Sequence, residues 1–236
     1  MKRCLVIVGR VEGLDLIERE SLDGYNFVIC ADSGQVAARR LGLDVDVYLG
    51  DFDSSVAPAG RVIRADIDGK ISEDVFNEQN SGSGRRAKVV VLPAEKNVTD
   101  SEAAVDYAAS RGFEVIDVMG GLSGRLDHTL GNLAILEKYC ESQVSVSFFD
   151  GINRVRLLGP GTHEVPRGRY QYLGVIPQSD EVKGLRLTGV KYEVEDFTLS
   201  AGSTRGVSNE ILGESAQVTI GFGRALVINS RDGVGQ

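Results

Sequence analysis

The sequence predicts an α/β N-terminal domain with a mainly parallel sheet, plus an all-β C-terminal sandwich domain. Three observations carry that expectation. Short, largely apolar runs of strand length recur through the first part of the chain, with helical patterns between them. From about residue 144 the helical patterns stop, and short runs punctuated by Gly and Pro replace them. Acidic clusters stand just beyond the apolar runs, where open α/β sheets bind their ligands.

In the first part, residues 4–8, 27–30, 45–49, 88–92 and 115–119 are apolar enough for strands buried on both faces, as a parallel sheet requires. Residues 36–41 form a short amphipathic helix after Gly34. Residues 100–111 place Ala103, Ala104, Tyr107 and Ala108 on one stripe, with Gly112 as a stop. Thr99 caps this helix, and Glu102 three residues on completes a capping box. Residues 127–139 form a third helix with Leu130, Leu133, Ala134 and Leu136 inward. Strands are then expected at 144–149, 155–158, 170–176, 184–188, 197–200, 217–220 and 225–229. The expected division is 1–150, α/β and catalytic, and 151–236, a β-sandwich. Residues 81–86, Ser-Gly-Ser-Gly-Arg-Arg, read as a flexible loop within the first domain.

Composition narrows the function. The 236 residues carry a net charge of −8 with no long basic run, which argues against sequence-independent nucleic-acid binding. No apolar stretch is long enough for a transmembrane helix. The apolar run after Lys2 and Arg3 is too short for a signal peptide, so a cytoplasmic protein is expected. Cys4, Cys30 and Cys140 form no CxxC pair and read as reduced thiols. His128 and His163 are the only histidines, too few for a His-rich zinc site.

Four clusters carry the chemistry. Gly50-Asp51-Phe52-Asp53-Ser54 places two carboxylates on one face of extended chain. Ala31-Asp32-Ser33-Gly34 ends a strand and opens a helix; Asp32 is either a simple N-cap or faces a metal or cationic ligand. In Lys96-Asn97-Val98-Thr99-Asp100, Lys96 is suited to phosphate oxygens and Asp100 to the acidic site. The glycine-rich segment from Gly120 to His128 lets backbone amides approach phosphates. Within it Arg125 offers a bidentate fork, Asp127 caps the helix or orients Arg125, and His128 is either a phosphate donor or an ordinary helix-start residue. Carboxylates gathered at strand ends repel one another unless a cation sits among them. Oxygen-rich sites of this kind suit Mg2+ shared with a polyphosphate.

In this order, the four clusters resemble the thiamine pyrophosphokinase family. The second half adds Gly184 through Tyr192 and Gly206-Val207-Ser208-Asn209-Glu210, similar to that family's β-domain signatures. The resemblance implies a homodimer with its active site between subunits, and ATP and thiamine as substrates. The reaction implied moves the pyrophosphoryl group of ATP to the hydroxyethyl oxygen of thiamine, leaving AMP. Asp51, Asp53 and Asp100 would hold Mg2+, and Arg125, with Lys96, would stabilise the transferring phosphates. Asp53 or Asp100 would accept the hydroxyl proton. Asp32 or Asp127 would favour the cationic thiazolium, and Ser208 and Asn209 would stand near the aminopyrimidine. Ser33 and Asn97 depart from the family pattern, which more often has Gly and Asp there. Residues 67–86 form a longer polar connection than that pattern requires. The alternatives are a pyrophosphokinase for another hydroxymethyl heterocycle such as a pterin, and a non-catalytic nucleotide or thiamine sensor.

Overall fold

The computed structural model describes residues 1–52, 61–71 and 87–233. The first part contains β1 (Arg3–Ile7), β2 (Phe27–Ala31), α1 (Gln35–Arg40), β3 (Val47–Gly50), β4 (Arg61–Arg64), β5 (Lys88–Val91), α2 (Asp100–Ser110), β6 (Val115–Met119), α3 (Leu126–Tyr139) and β7 (Ser145–Phe149). There follow β8 (Asn153–Leu158), β9 (Gly161–Pro166), β10 (Tyr172–Pro177), β11 (Glu181–Thr188), β12 (Val194–Ser200), β13 (Asn209–Glu210), β14 (Ser215–Ile220) and β15 (Ala225–Ser230).

One sheet runs through both parts, in the order β13-β10-β15-β8-β7-β6-β1-β2-β3-β5-β4. Its strands from β7 to β4 pair in parallel. At β7 the pairing turns antiparallel, because the short turn into β8 reverses the chain: Phe148 faces Val155. The second, four-stranded sheet has the order β12-β11-β14-β9. The all-β part is therefore a sandwich in which the antiparallel half of the long sheet supplies one layer.

Three apolar clusters hold these layers. Val6, Ile116 and Val118 pack with Ala104, Ala108 and Leu136 of α2 and α3. On the opposite face, Leu5, Ile7, Cys30 and Phe149 pack with Ala37 and Ala38 of α1. Val165, Val175, Leu185, Val218 and Val227 fill the sandwich. Cys4 through Ile7 are fully buried because helices cover both faces of β1. Burying side chains of the Leu and Ile class contributes about 1.5–3 kcal/mol each. Burial pushes the Cys4 thiol well up and the Cys30 thiol to about 12, so both behave as small apolar groups.

Two local expectations change. Leu130 and Ala134 of α3 are exposed; Asn132, Ile135 and Leu136 take the inward face. The helix contributes a narrow seam to the sheet, rotated from the one that counting leucines suggests. β4, β9 and β13, which the sequence patterns did not indicate, are present; β13 has only two residues and β9 alternates with one buried apolar position, Val165.

Strand β6 also carries a buried charge. Asp117, 3% exposed, accepts hydrogen bonds from Arg3 and Arg154 at 3.1 Å each, from Tyr25 at 2.7 Å and from Ser147. The Arg154 guanidinium lies over the Phe149 ring at 4.7 Å. Burial alone raises the Asp117 carboxyl, but Arg154 and the hydrogen bonds from Ser147, Tyr25 and Arg3 outweigh it and hold it below the ordinary aspartate range. This cluster ties the first strand to the strand that begins the sandwich. Asp117→Ala strips the counter-ion from two guanidinium groups and is expected to cost about 3–5 kcal/mol in urea unfolding. With its folded-state value depressed, Asp117 contributes stability above the ordinary aspartate range, and that contribution is lost as pH falls through the depressed value. An acid titration of Asp117→Asn should lack this component.

Candidate active site

The carboxyl ends of β1, β2 and β6, with the start of α2, open into one cleft of ≈ 700 Å³. Strand β1 lies between β2 and β6, and the chain leaves it toward β2 and β3 and returns to β6. The order of the parallel strands therefore reverses beside β1, the place where such sheets part to admit a ligand.

Gly34 sets the first wall. A Cβ there would stand 2.2 Å from the Ile7 carbonyl oxygen, so only glycine lets the turn after β2 close against β1. The backbone of Asp32 opens this turn, Asp32–Gly34. Ser33 is exposed, lines the cleft and is not among the residues in a left-handed conformation, so the departure from glycine leaves the backbone unstrained.

At the cleft, Lys96 ties two acidic segments together. Its Nζ lies 2.9 Å from Asp51 Oδ2, just after β3, and 2.9 Å from Asp100 Oδ1, at the start of α2. All three side chains are largely buried, with 10% of Lys96 and 19% of each aspartate exposed. Burial lowers the Lys96 ammonium, and the hydrogen bonds to Asp51 and Asp100 outweigh it, so its pKa is raised. Lys96 thus stands between the two carboxylates. Thr99 caps α2, its Oγ1 accepting from the Glu102 amide at 3.1 Å. Asn97 faces away from this cluster: its amide donates to Asp68 at 3.0 Å and so fastens the segment to the turn around residues 66–70. Asp53 lies outside the described residues, as do 81–86 and the greater part of 67–86. Among the described residues no group of three or more His, Cys, Asp and Glu side chains converges as a metal site.

The other wall is the segment between β6 and α3. Gly121 and Gly124 have φ of 74° and 97°, which side-chain-bearing residues rarely adopt. The buried Asn132 reaches back from α3 and donates to the Gly121 carbonyl at 2.9 Å. The Gly121 amide donates to Arg10 O at 3.3 Å, just past β1. Arg125 forks onto Asp127, its Nε 3.1 Å and Nη2 2.5 Å from the two carboxylate oxygens. The pairing holds the Asp127 carboxyl low and the Arg125 guanidinium high. Asp127 therefore orients Arg125; the N-cap position belongs to Arg125 itself. His128 is exposed at the cleft, and its backbone amide donates to Asp127 at 3.0 Å.

Of the residues singled out in the sequence, Lys96, Asp100, Arg125, Asp127 and His128 line this one cleft, and Asp51 joins them through Lys96. Ser208 and Asn209 do not. Ser208 is exposed with φ of 59°. Asn209 spends its side chain on the backbone, accepting from the Tyr192 amide at 3.0 Å and donating to the Tyr192 carbonyl at 2.9 Å. Sequence reasoning missed Arg10 and Asn132. Arg10 carried a usable signal, since it follows an apolar run just as the acidic clusters do.

This geometry has relatives. The family model for the thiamin pyrophosphokinase catalytic domain matches residues 19–148, and that for the thiamin pyrophosphokinase vitamin B1 binding domain matches residues 162–227. The chain belongs to the thiamin pyrophosphokinase family. Thiamine pyrophosphokinase of Bacillus subtilis is 31% identical over 211 residues, spanning 89% of this chain and 90% of that one. The crystal structure of thiamin pyrophosphokinase from Geobacillus thermodenitrificans superposes with a TM-score of 0.74 at 30% identity, covering 100% of both chains. The Bacillus subtilis crystal structure gives a TM-score of 0.76 at 24% identity, covering 98% of this chain and 100% of that one. The fold expected from sequence, an α/β part followed by an antiparallel sandwich, is the fold these relatives share.

Gly34→Ala provides a local test of the cleft. Its Cβ would meet backbone rather than a movable side-chain tip, so the cost should reach the upper end of about 1–3 kcal/mol for overpacking. Thermal unfolding measures it, and an unchanged midpoint would contradict the close approach of the β2 turn to β1.

Proposed function

We propose that this cleft transfers the pyrophosphoryl group of ATP to the hydroxyethyl oxygen of thiamine, giving thiamine diphosphate and AMP. Membership of the thiamin pyrophosphokinase family makes the chain an enzyme, an ATP-dependent diphosphotransferase acting in thiamine diphosphate biosynthesis. The observation that carries the reading to particular residues is the Asp51–Lys96–Asp100 cluster facing a glycine-rich loop across the cleft at the strand-order reversal.

Phosphoryl and pyrophosphoryl transfer demand positioning and charge neutralisation more than covalent chemistry. The Asp51 and Asp100 carboxylates converge on one cationic point, held here by an ammonium, and their hard oxygens match Mg2+. Together with Asp53 they are the residues that would hold the ion, which when bound neutralises charge on the phosphates. Lys96 prevents the two carboxylates from repelling each other and presents a cation at the same wall. The backbone from Leu122 to Gly124 offers amides to the phosphate chain, and Asp127 aims Arg125 at it. A carboxylate, Asp53 or Asp100, accepts the proton of the attacking hydroxyl. Asp32 or Asp127 favours the cationic thiazolium.

Ser208, exposed in a left-handed conformation, and the adjoining Asn209 lie in the part matching the vitamin B1 binding domain. We place them near the aminopyrimidine of thiamine bound to the partner subunit of a homodimer. No helix among the described residues is long and apolar enough to cross a membrane. We place the enzyme in the cytoplasm, where the free thiols Cys4, Cys30 and Cys140 remain reduced.

A coupled assay of AMP release from ATP and Mg2+ tests the reading, with thiamine and a hydroxymethylpterin as alternative acceptors. AMP release with thiamine is expected. AMP release with the pterin alone would reassign the acceptor, and ATP binding without AMP would indicate a sensor. Asp51→Asn and Asp53→Asn should each reduce turnover by several orders of magnitude with the fold retained by circular dichroism. Near-normal rates in both variants would contradict the assignment.

A further inference from the structure

Arg10 is the residue of this cleft that the reading above leaves without a task. It stands three residues past the end of β1, at the point where the order of the parallel strands reverses. Its φ of 21° is one of only four positive values among the described residues other than glycine. Strained backbone of this kind persists where surrounding contacts enforce it, and it is frequent at ligand sites. Here the contacts are visible. The Gly121 amide donates to Arg10 O at 3.3 Å, and a Cβ on Gly120 would lie 3.1 Å from that oxygen. The side chain runs over Gly124: a Cβ there would lie 3.6 Å from both Arg10 Cδ and Arg10 Nη1. Glycine at 124 thus leaves room for the guanidinium to lie against the loop.

The electrostatics distinguish Arg10 from its neighbours. Lys96 has its charge divided between Asp51 and Asp100, and Arg125 is forked onto Asp127. Arg10 is exposed, lines the same cleft, and has no side-chain hydrogen bond or ion pair among the described residues. A planar guanidinium with unspent donors, beside a loop of backbone amides, matches an oxyanion with several acceptor oxygens.

We propose that Arg10 is a phosphate-binding residue that clamps the polyphosphate chain of ATP from the β1 side, opposite the Asp51–Lys96–Asp100 wall. The assignment rests on the pyrophosphokinase reading for the identity of the nucleotide, but the anion chemistry stands by itself. Arg10 supplies charge and two or more donors, while Arg125, neutralised by Asp127, supplies direction. The proposal gives the strained backbone after β1 a purpose: it turns the side chain along the glycine-rich loop.

The test compares Arg10→Met, which keeps the aliphatic stem over Gly124 and removes the charge, with Arg10→Lys, which keeps the charge and loses the fork. Arg10→Met should raise the KM for Mg·ATP about ten- to a hundredfold, the range of one or two lost charge-assisted hydrogen bonds, and leave the KM for thiamine nearly unchanged. Arg10→Lys should recover part of the loss. Calorimetry with inorganic tripolyphosphate should show the same order: parent tightest, lysine intermediate, methionine weakest. Equal tripolyphosphate affinity in parent and Arg10→Met would overturn the proposal. So would a parallel rise in both KM values with a lowered melting temperature, which would mark a structural role. A parent protein that binds tripolyphosphate through Arg10 but releases no AMP would sink the pyrophosphokinase reading and leave the clamp standing.

Discussion

Two aspartates held on one ammonium are the constraint around which the cleft is arranged. Asp51 comes from the end of β3 and Asp100 from the start of α2, and each lies 2.9 Å from Lys96 Nζ. Without a cation between them, two largely buried carboxylates would repel in a medium of reduced dielectric constant. The lysine therefore links a strand end to a helix start and fixes the separation of two hard oxygen donors. The parallel sheet does the coarse work, carrying its chain turns to one edge. The glycines do the fine work, since Gly34 permits contact with Ile7, while Gly121 and Gly124 permit the loop to turn back over β1.

The two parts of the chain are joined more intimately than two beads on a string. Strand β7 pairs in parallel with β6 on one side and antiparallel with β8 on the other, so hydrogen bonding continues from the parallel part of the sheet into the sandwich. The Asp117 cluster reinforces the same seam, joining Arg3 and Tyr25 of the first part to Ser147 and Arg154 at the transition. A displacement of the sandwich would strain the sheet and expose a buried ion cluster. The cleft walls consequently rest on a frame that extends well beyond the residues lining them.

Much of this was legible in the sequence, and the remainder was obscured for identifiable reasons. Continuous apolar runs marked β1, β2, β3, β5 and β6 because a sheet covered on both faces has no polar face to confuse the pattern. The clusters at Asp51, Asp100 and Arg125–Asp127 were visible because chemistry at strand ends follows the strands in sequence. Burial within α3 was misplaced, since Leu130 is exposed and the polar Asn132 is buried to bind the Gly121 carbonyl. Asp117 was hidden inside an apolar run, its partners Arg3, Tyr25, Ser147 and Arg154 being distant in sequence. Strand β13 is too short to leave a period. The ion pairs of Lys96 with Asp51 and Asp100 were not legible, because sequence shows charge but not which opposite charges stand nearest.

The central claim is that Asp51 and Asp100 form a site for a divalent cation shared with a nucleotide polyphosphate. Electron paramagnetic resonance of Mn2+, a hard-cation probe for Mg2+, tests it without relying on turnover. In the presence of a non-hydrolysable ATP analogue, the parent protein should bind Mn2+ in proportion to bound nucleotide, and Asp51→Asn combined with Asp100→Asn should abolish that binding. Undiminished Mn2+ binding by the double variant would contradict the account.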